Sequence, residues 1–319
     1  MTRRRRSDFW PAMAFLLPNL LGFLIFMAGP LLVSLGASFT NWNLQNIIPF
    51  HFTGLKNLHT LLHDQLFWIY LANTIYMMLG MPFAILGALG LALLLNQKAR
   101  GVAVYRTLFY IPSFTSGVAL MLLWKQLLNP DFGPINVCIS HLLQWLHLTN
   151  LHAPYWLQST KNLLGLGAES VSFSWRNFGI GSKDGLNFMG MWTMIGGTNM
   201  LLYMAALSGI SPDLYEAAAI DGAGKWRKFT AVTWPQLMPT TFFIFIMSII
   251  GGLQGGFEQA RIMTLGGPAG STTTLAYYIY ITAFQQFQMG YASTIAWVMF
   301  LMIFVLTIFT WRFGKGATE

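Results

Sequence analysis

Charge is what this sequence has least of. Only 9% of its 319 residues are Asp, Glu, Lys or Arg, against ~25% in an ordinary soluble domain, so water is excluded as the main solvent. Cysteine is almost missing too. The single Cys138 cannot close an internal disulfide, no CxxC or Cys/His cluster offers a zinc or redox site, and the residue reads as a small apolar side chain. There is no nucleotide-binding P-loop: Gly222-Ala-Gly224-Lys225 has Ala219 where an earlier glycine is required and Trp226 where Ser or Thr is required. A nucleophile elbow, a usable Ser/His/Asp order and a hydrolytic carboxylate pair are also lacking, so no catalytic residue is expected. The six histidines (His51, His59, His63, His141, His147, His152) lack metal-ligand spacing, and no metal site is expected.

What is abundant is apolar sequence, 55% of the chain, in blocks long enough to cross a ~30 Å hydrocarbon layer as helices of about 20 residues. Six spans are expected, over 10–39, 67–95, 107–127, 186–207, 241–264 and 288–311, in an all-α polytopic membrane protein. Positively charged flanks stay in the cytoplasm. With the N-terminus inside, Arg3, Arg4, Arg5, Arg6, Lys98, Arg100, Arg106, Lys225, Arg227, Lys228, Arg312 and Lys315 are cytoplasmic, 12 of the 18 basic residues, and both termini face that side. This placement, rather than nucleic acid, explains the net charge of +8. The basic start continues into an apolar run without a small-x-small cleavage signal and reads as a retained anchor. The organisation that follows is a basic tail (1–9), a first span with its outside loop (10–66), a five-helix core (67–311) and a cytoplasmic tail (312–319). Within the core, the outside segment 129–185 is too long for a structureless loop. Ile135, Ile139, Leu142, Leu143 and Leu146 have helical spacing over 134–148, whereas 169–184 reads as a loop.

Between the fourth and fifth spans lies Ser211-Pro-Asp-Leu-Tyr-Glu-Ala-Ala-Ala-Ile-Asp-Gly-Ala-Gly-Lys-Trp-Arg-Lys, which reads as helix, turn, helix. Ser211 caps the first helix, Pro212 suits its first position and Asp213 favours the positive end of its dipole. Asp221-Gly222 supplies the turn. Ala217, Ala218 and Ala219 leave a smooth surface for close contact, and Glu216 offers a carboxylate to a partner arginine. Pro235 and Pro239 are expected to end the second helix before the fifth span. Capping and charge alone would fit any cytoplasmic hairpin.

The order of residues goes further. Glu216, Ala217, Ala218, Asp221, Gly222, Ala223 and Pro235 resemble the EAA loop of binding-protein-dependent ABC importer permeases. Tyr105 to Pro112, Asn129 to Asn136, Gly266-Gly-Pro268 leading to Thr272, Tyr278 to Phe284 and Gly290-Tyr-Ala292 are similar to the carbohydrate-uptake branch of that family, which includes permeases for maltose-type sugars and glycerol 3-phosphate. The resemblance implies the type I importer permease fold, a bacterial or archaeal inner membrane, a second homologous permease, two ATP-binding cassette subunits that hold the ATP and Mg this chain does not bind, and an extracytoplasmic solute-binding protein. It also implies that Glu216, Ala217, Ala218, Asp221 and Gly222 form the ATPase-coupling loop. The outside segment before the fourth span looks longer than is typical of the family.

Polar side chains inside spans face a bundle interior or a wet cavity. Trp192, Asn199 and Tyr203 are spaced for one helical face of the fourth span, and the fifth carries Ser248, Gln254, Glu258 and Gln259. Aromatic faces and amides suit a carbohydrate-like solute. Each residue also has an ordinary reading, as an interhelical hydrogen bond or an interfacial anchor. Gly251, Gly252, Gly255 and Gly256 permit close packing or bending. An ion-gradient-driven secondary transporter or a polytopic membrane enzyme using the outside histidines are the alternatives, but the acids fall at span ends and loops, apart from Glu258.

Overall fold

A computed structural model describes residues 9–45, 49–97, 100–148, 151–168 and 171–314. Arg3 to Arg6, Lys98, Glu169 and Lys315 lie outside them. Within the described residues the chain is helical, with only isolated β-bridges. It divides into two compact units, one drawn from the N-terminal residues up to Asp64 with Ile279–Phe300, the other from Gln65–Tyr278 with the residues after Phe300.

In the first unit, α1 (Phe9–Phe23), a π turn (Leu24–Ala28) and α2 (Gly29–Ser38) make one span, Trp10–Ser38. The π turn comes directly before Gly29-Pro30. Gly29 N–H bonds Leu24 O, five residues back, shifting the ladder by one just before a residue with no N–H to give. Carbonyls at the end of α2 are satisfied by side chains: Asn57 Nδ2 donates to Ser38 O (2.9 Å) and Thr40 O (2.8 Å), and Thr294 Oγ1 donates to Ser38 O (3.0 Å). Asn57 belongs to α3 (Lys56–His63).

The second unit opens with α4 (Gln65–Met77) and α5 (Met81–Leu95), together the span Gln65–Leu95. Next come α6 (Val102–Phe114) and α7 (Gly117–Leu127), bent by 100°. The 107–127 span expected as one helix is therefore a broken pair, with Pro112 near the corner. After α8 (Pro134–Trp145), the expected fourth span is two helices, α9 (Ser182–Gly196) and α10 (Thr198–Ser208), separated at Gly197 and each too short alone to cross a bilayer. Of the six expected spans the described residues therefore show four long apolar helices, or five with the α6–α7 pair. The hairpin helices are α11 (Pro212–Ile220) and α12 (Lys225–Lys228), and α13 (Trp234–Gln254) follows a π turn at Phe229–Thr233.

The fifth span departs furthest from expectation. Its helix runs over Lys225–Gln254 instead of 241–264, passing through both prolines. The π turn again shifts the ladder, this time before Pro235, and Pro239 is carried inside the helix. What ends the helix is Gly255-Gly256. Gly256 has φ +82°, and a Cβ there would lie 2.5 Å from Thr274 Cγ2, so no other residue fits without strain. Beyond it are α14 (Phe257–Gln259), a π turn (Ala260–Thr264), a buried loop through Ser271, Thr272, Thr273 and Thr274, and α15 (Leu275–Tyr280). Asn73 secures that loop by donating to Gly270 O (3.0 Å) and Thr273 O (3.1 Å). The last span, α16 (Met289–Gly314), is helical where expected.

Packing in this unit centres on α5. Ala84, Ala88 and Ala92 are each fully buried and stand one turn apart, a small-residue face that lets neighbouring backbones approach. Lipid tails are as apolar as leucine, so this close van der Waals contact, rather than water exclusion, drives helix association in a bilayer. Met200, Tyr203 and Leu207 of α10 and Leu237 and Ile244 of α13 complete the cluster. Still closer is the approach at Gly196, where a Cβ would fall 2.3 Å from Phe109 O.

Candidate functional site

A cavity of about 450 Å³ is walled by α4, α5, α9, α10 and α13. Met77, Met78, Met81, Met191, Met194 and Met247 supply its soft apolar surface, and Thr74, Ser113, Asn187, Thr193, Asn199, Ser248, Gln259 and Thr274 its polar groups. Two helix breaks fall in its wall, one at Gly197 between α9 and α10, the other at Gly255-Gly256 between α13 and α14. Breaks of this kind at membrane depth are tolerated where they line a cavity.

Of the residues the sequence picks out, Asn199, Ser248 and Gln259 line this cavity, as do the four glycines of 251–256. Tyr203 does not: it is fully buried in the helix core, its hydroxyl donating to Thr241 Oγ1 at 3.2 Å. Trp192 instead packs edge-on against Trp124 at 5.5 Å. Its expected alignment with Asn199 assumed an unbroken helix, and Gly197 interrupts the phase. Gln254 and Glu258 are exposed outside the lining. Glu258 Oε2 lies 3.0 Å from where a Cβ on Gly117 would stand, at the start of α7. The lining contains no aromatic ring, so methionines take the part expected of aromatics. Asn187 and Met191 stand one turn apart on α9 but were missed, because Asn187 falls at the expected start of a span, where a polar side chain is ordinary, and methionine reads as any apolar residue.

Above the cavity wall, Tyr76, Lys183 and Asp184 form a buried cluster. Lys183 and Asp184 are 3% and 8% exposed. Asp184 accepts a short hydrogen bond from the Tyr76 hydroxyl and another from Gly181 N–H (3.0 Å), while Lys183 Nζ sits 5.2 Å over the Tyr76 ring. Leu163 N–H donates to the Tyr76 oxygen (3.1 Å), and Asn187 Nδ2 to Tyr76 O (3.1 Å). The cluster thus joins the segment after α8 to two cavity walls.

That segment is ordered by one buried side chain. Asn162, 0% exposed, gives Nδ2 to Leu166 O (2.7 Å) and takes Leu166 N–H on Oδ1 (3.0 Å), while its backbone pairs with Asn177 and Gly179. Asn162→Ala strands buried backbone groups at roughly 1–3 kcal/mol each. Limited proteolysis of the purified protein is therefore expected to cut within 151–181 at least about tenfold faster, with the spans left intact.

The first hairpin helix and its turn have the expected form, while the second helix runs on into the fifth span. Ser211 Oγ accepts Asp213 N–H at 3.3 Å, Gly222 has φ +75°, and the Tyr215 and Thr233 hydroxyls bond at 2.9 Å, holding α11 to the π turn. Glu216, Ala217 and Asp221 are exposed and Ala218 is half-buried. Beside them Ile220 is 87%, Trp226 75% and Leu214 42% exposed, an apolar surface rimmed by charge of the kind that marks a protein contact.

The model of the family described as binding-protein-dependent transport system inner membrane component matches residues 74–316. The lactose transport system permease protein LacF of Rhizobium radiobacter is 34% identical over 299 residues, covering 92% of this chain and 90% of that protein. The sn-glycerol-3-phosphate transport system permease protein UgpA of Escherichia coli is 28% identical over 287 residues, covering 87% and 86%. Among solved structures, a chain of a bacterial alginate ABC transporter in complex with an alginate pentasaccharide-bound periplasmic protein superposes with a TM-score of 0.79 at 24% identity, covering 100% of this chain and 98% of that one. The fold is that of a type I ABC importer permease, and this multi-pass membrane chain belongs to the binding-protein-dependent transport system inner membrane component family.

Proposed function

We propose that this chain is the membrane-spanning permease of an ATP-driven, binding-protein-dependent importer of a sugar, polyol or oligosaccharide. It works in a bacterial or archaeal plasma membrane with both termini in the cytoplasm. The carrying observation is the cavity: amides and hydroxyls interleaved with methionine, at a pair of helix breaks, offer hydrogen bonds and deformable apolar contact together. Asn199, Ser248, Asn187 and Gln259 meet solute hydroxyls as it passes. A second homologous permease closes the path, an extracytoplasmic binding protein delivers the solute, and two ATP-binding cassette subunits bind ATP and Mg and dock on Glu216, Ala217, Ala218, Asp221 and Gly222. This chain itself makes and breaks no covalent bond.

Proteoliposomes holding the complete assembly, with the binding protein outside and ATP inside, are expected to accumulate saccharide, and omission of either ATP or the binding protein is expected to lower uptake at least about tenfold. Equal uptake driven by an imposed ion gradient without ATP would point to a secondary transporter instead.

A further inference from the structure

Kinship leaves the charge of the cargo open, because one relative is named for lactose, which is neutral, and another for glycerol 3-phosphate, which is anionic. The cavity wall speaks to it. Every residue that lines it is methionine, leucine, glycine, hydroxyl or amide; none is ionisable. An anion entering this space would shed water and meet no compensating cation, a penalty that grows as the cavity dries. Lys183, one turn before Asn187, does not relieve it, since its ammonium is turned onto the Tyr76 ring beside Asp184. Glu258, next in sequence to the lining Gln259, has the same sign as an anionic cargo.

Helix ends could provide a positive field without any cation, and two are present. At each break, however, a C-terminus and an N-terminus meet: α9 ends at Gly196 where α10 begins at Thr198, and α13 ends at Gln254 where α14 begins at Phe257. Partial charges of opposite sign lie side by side and largely offset. What remains is a surface that accepts and donates hydrogen bonds without preference for sign.

Building on the importer reading, we infer that the wall this chain contributes passes an uncharged saccharide or polyol and discriminates against carboxylated or phosphorylated ones. The probe is a mixture of uncharged malto-, cello- and xylo-oligosaccharides, uronate oligosaccharides and glycerol 3-phosphate, offered to proteoliposomes of the complete assembly, with vesicle contents identified by mass spectrometry. Uncharged members are expected to accumulate with ATP at least roughly tenfold above every anionic one. An anionic member accumulating to a tenth or more of the best uncharged one overturns the inference. ATP-dependent accumulation of nothing in the mixture sinks the importer reading itself, a distinguishable result.

A pair of variants separates this wall from the selectivity of the binding protein. Asn199→Asp and Asn199→Lys place opposite charges at one position of the lining, and the ratio between them reads the charge of the cargo. Uptake of the cargo found in the first experiment is expected to fall in both, by factors within about threefold of each other. A lysine variant that exceeds the aspartate variant roughly tenfold or more would reveal a cargo drawn to positive charge and overturn the inference.

Discussion

Glu216→Arg is expected to leave the chain inserted in the membrane and to separate it from its ATPase. Glu216 is exposed on α11, makes no contact that holds the hairpin together, and stands on a helix whose cap at Ser211 and tether at Tyr215–Thr233 do not depend on it. The substitution therefore changes the docking face without unfolding it. Replacing one partner of a desolvated charge pair by its opposite costs about 2–5 kcal/mol, or roughly 30-fold to several thousand-fold in affinity. Co-purification from detergent should fall to background, with ATP-dependent uptake lost in proportion. Glu216→Gln, which keeps an acceptor, should retain a measurable fraction of both. Full co-purification and full uptake by the arginine variant would show that the motor does not grip the chain at this hairpin.

Asp184→Ala is expected to have the largest effect on stability. It removes the acceptor for the Tyr76 hydroxyl and Gly181 N–H and leaves Lys183, 3% exposed, without its neighbouring carboxylate. Removing one member of a buried charged arrangement costs about 3–5 kcal/mol, enough to lower the thermal transition of the purified protein by several degrees. The damage should also be directional. Asn187 and Met191 follow on the same helix and line the cavity, so uptake should fall more than surface expression does. Asp184→Asn, which keeps an oxygen for Tyr76, should lose about half as much. An unchanged melting profile in the alanine variant would mean that the cluster is not a structural anchor.

How far the sequence reached depended on whether the signal was local. The first hairpin helix and its turn were legible, because a capping serine, a proline at the first turn and an Asp-Gly turn each act within a few residues of themselves. Four of the six spans were legible as apolar blocks, whereas the 107–127 block is a bent pair and the 186–207 block is two shorter helices, and none of these interruptions was foreseen. Pro235 and Pro239 look like stops, yet a π turn carries the helix past them, and Gly255-Gly256 ends it instead. The Trp192–Asn199–Tyr203 face failed for a related reason, since helical spacing predicts alignment only where the helix is continuous. Tyr203 shows a further limit. It lies one turn from Asn199 on the same helix, but core packing has closed over it. The lobe around Asn162 was the least legible part: its order comes from one buried amide closing on Leu166 and from backbone pairing of Asn162 with Asn177 and Gly179, which leaves no periodic trace in composition.

The π turn at Phe229–Thr233 sets how the hairpin is turned about the axis of the long helix that follows it. Such a turn holds about one residue more than an ordinary helical turn, and each residue of a helix turns it by roughly 100°. The compass bearing of Glu216 relative to the cavity-lining Ser248 is therefore set by a surplus residue as well as by side-chain contact. A homologous chain without such a surplus would turn its hairpin toward a different quarter about the same helix axis.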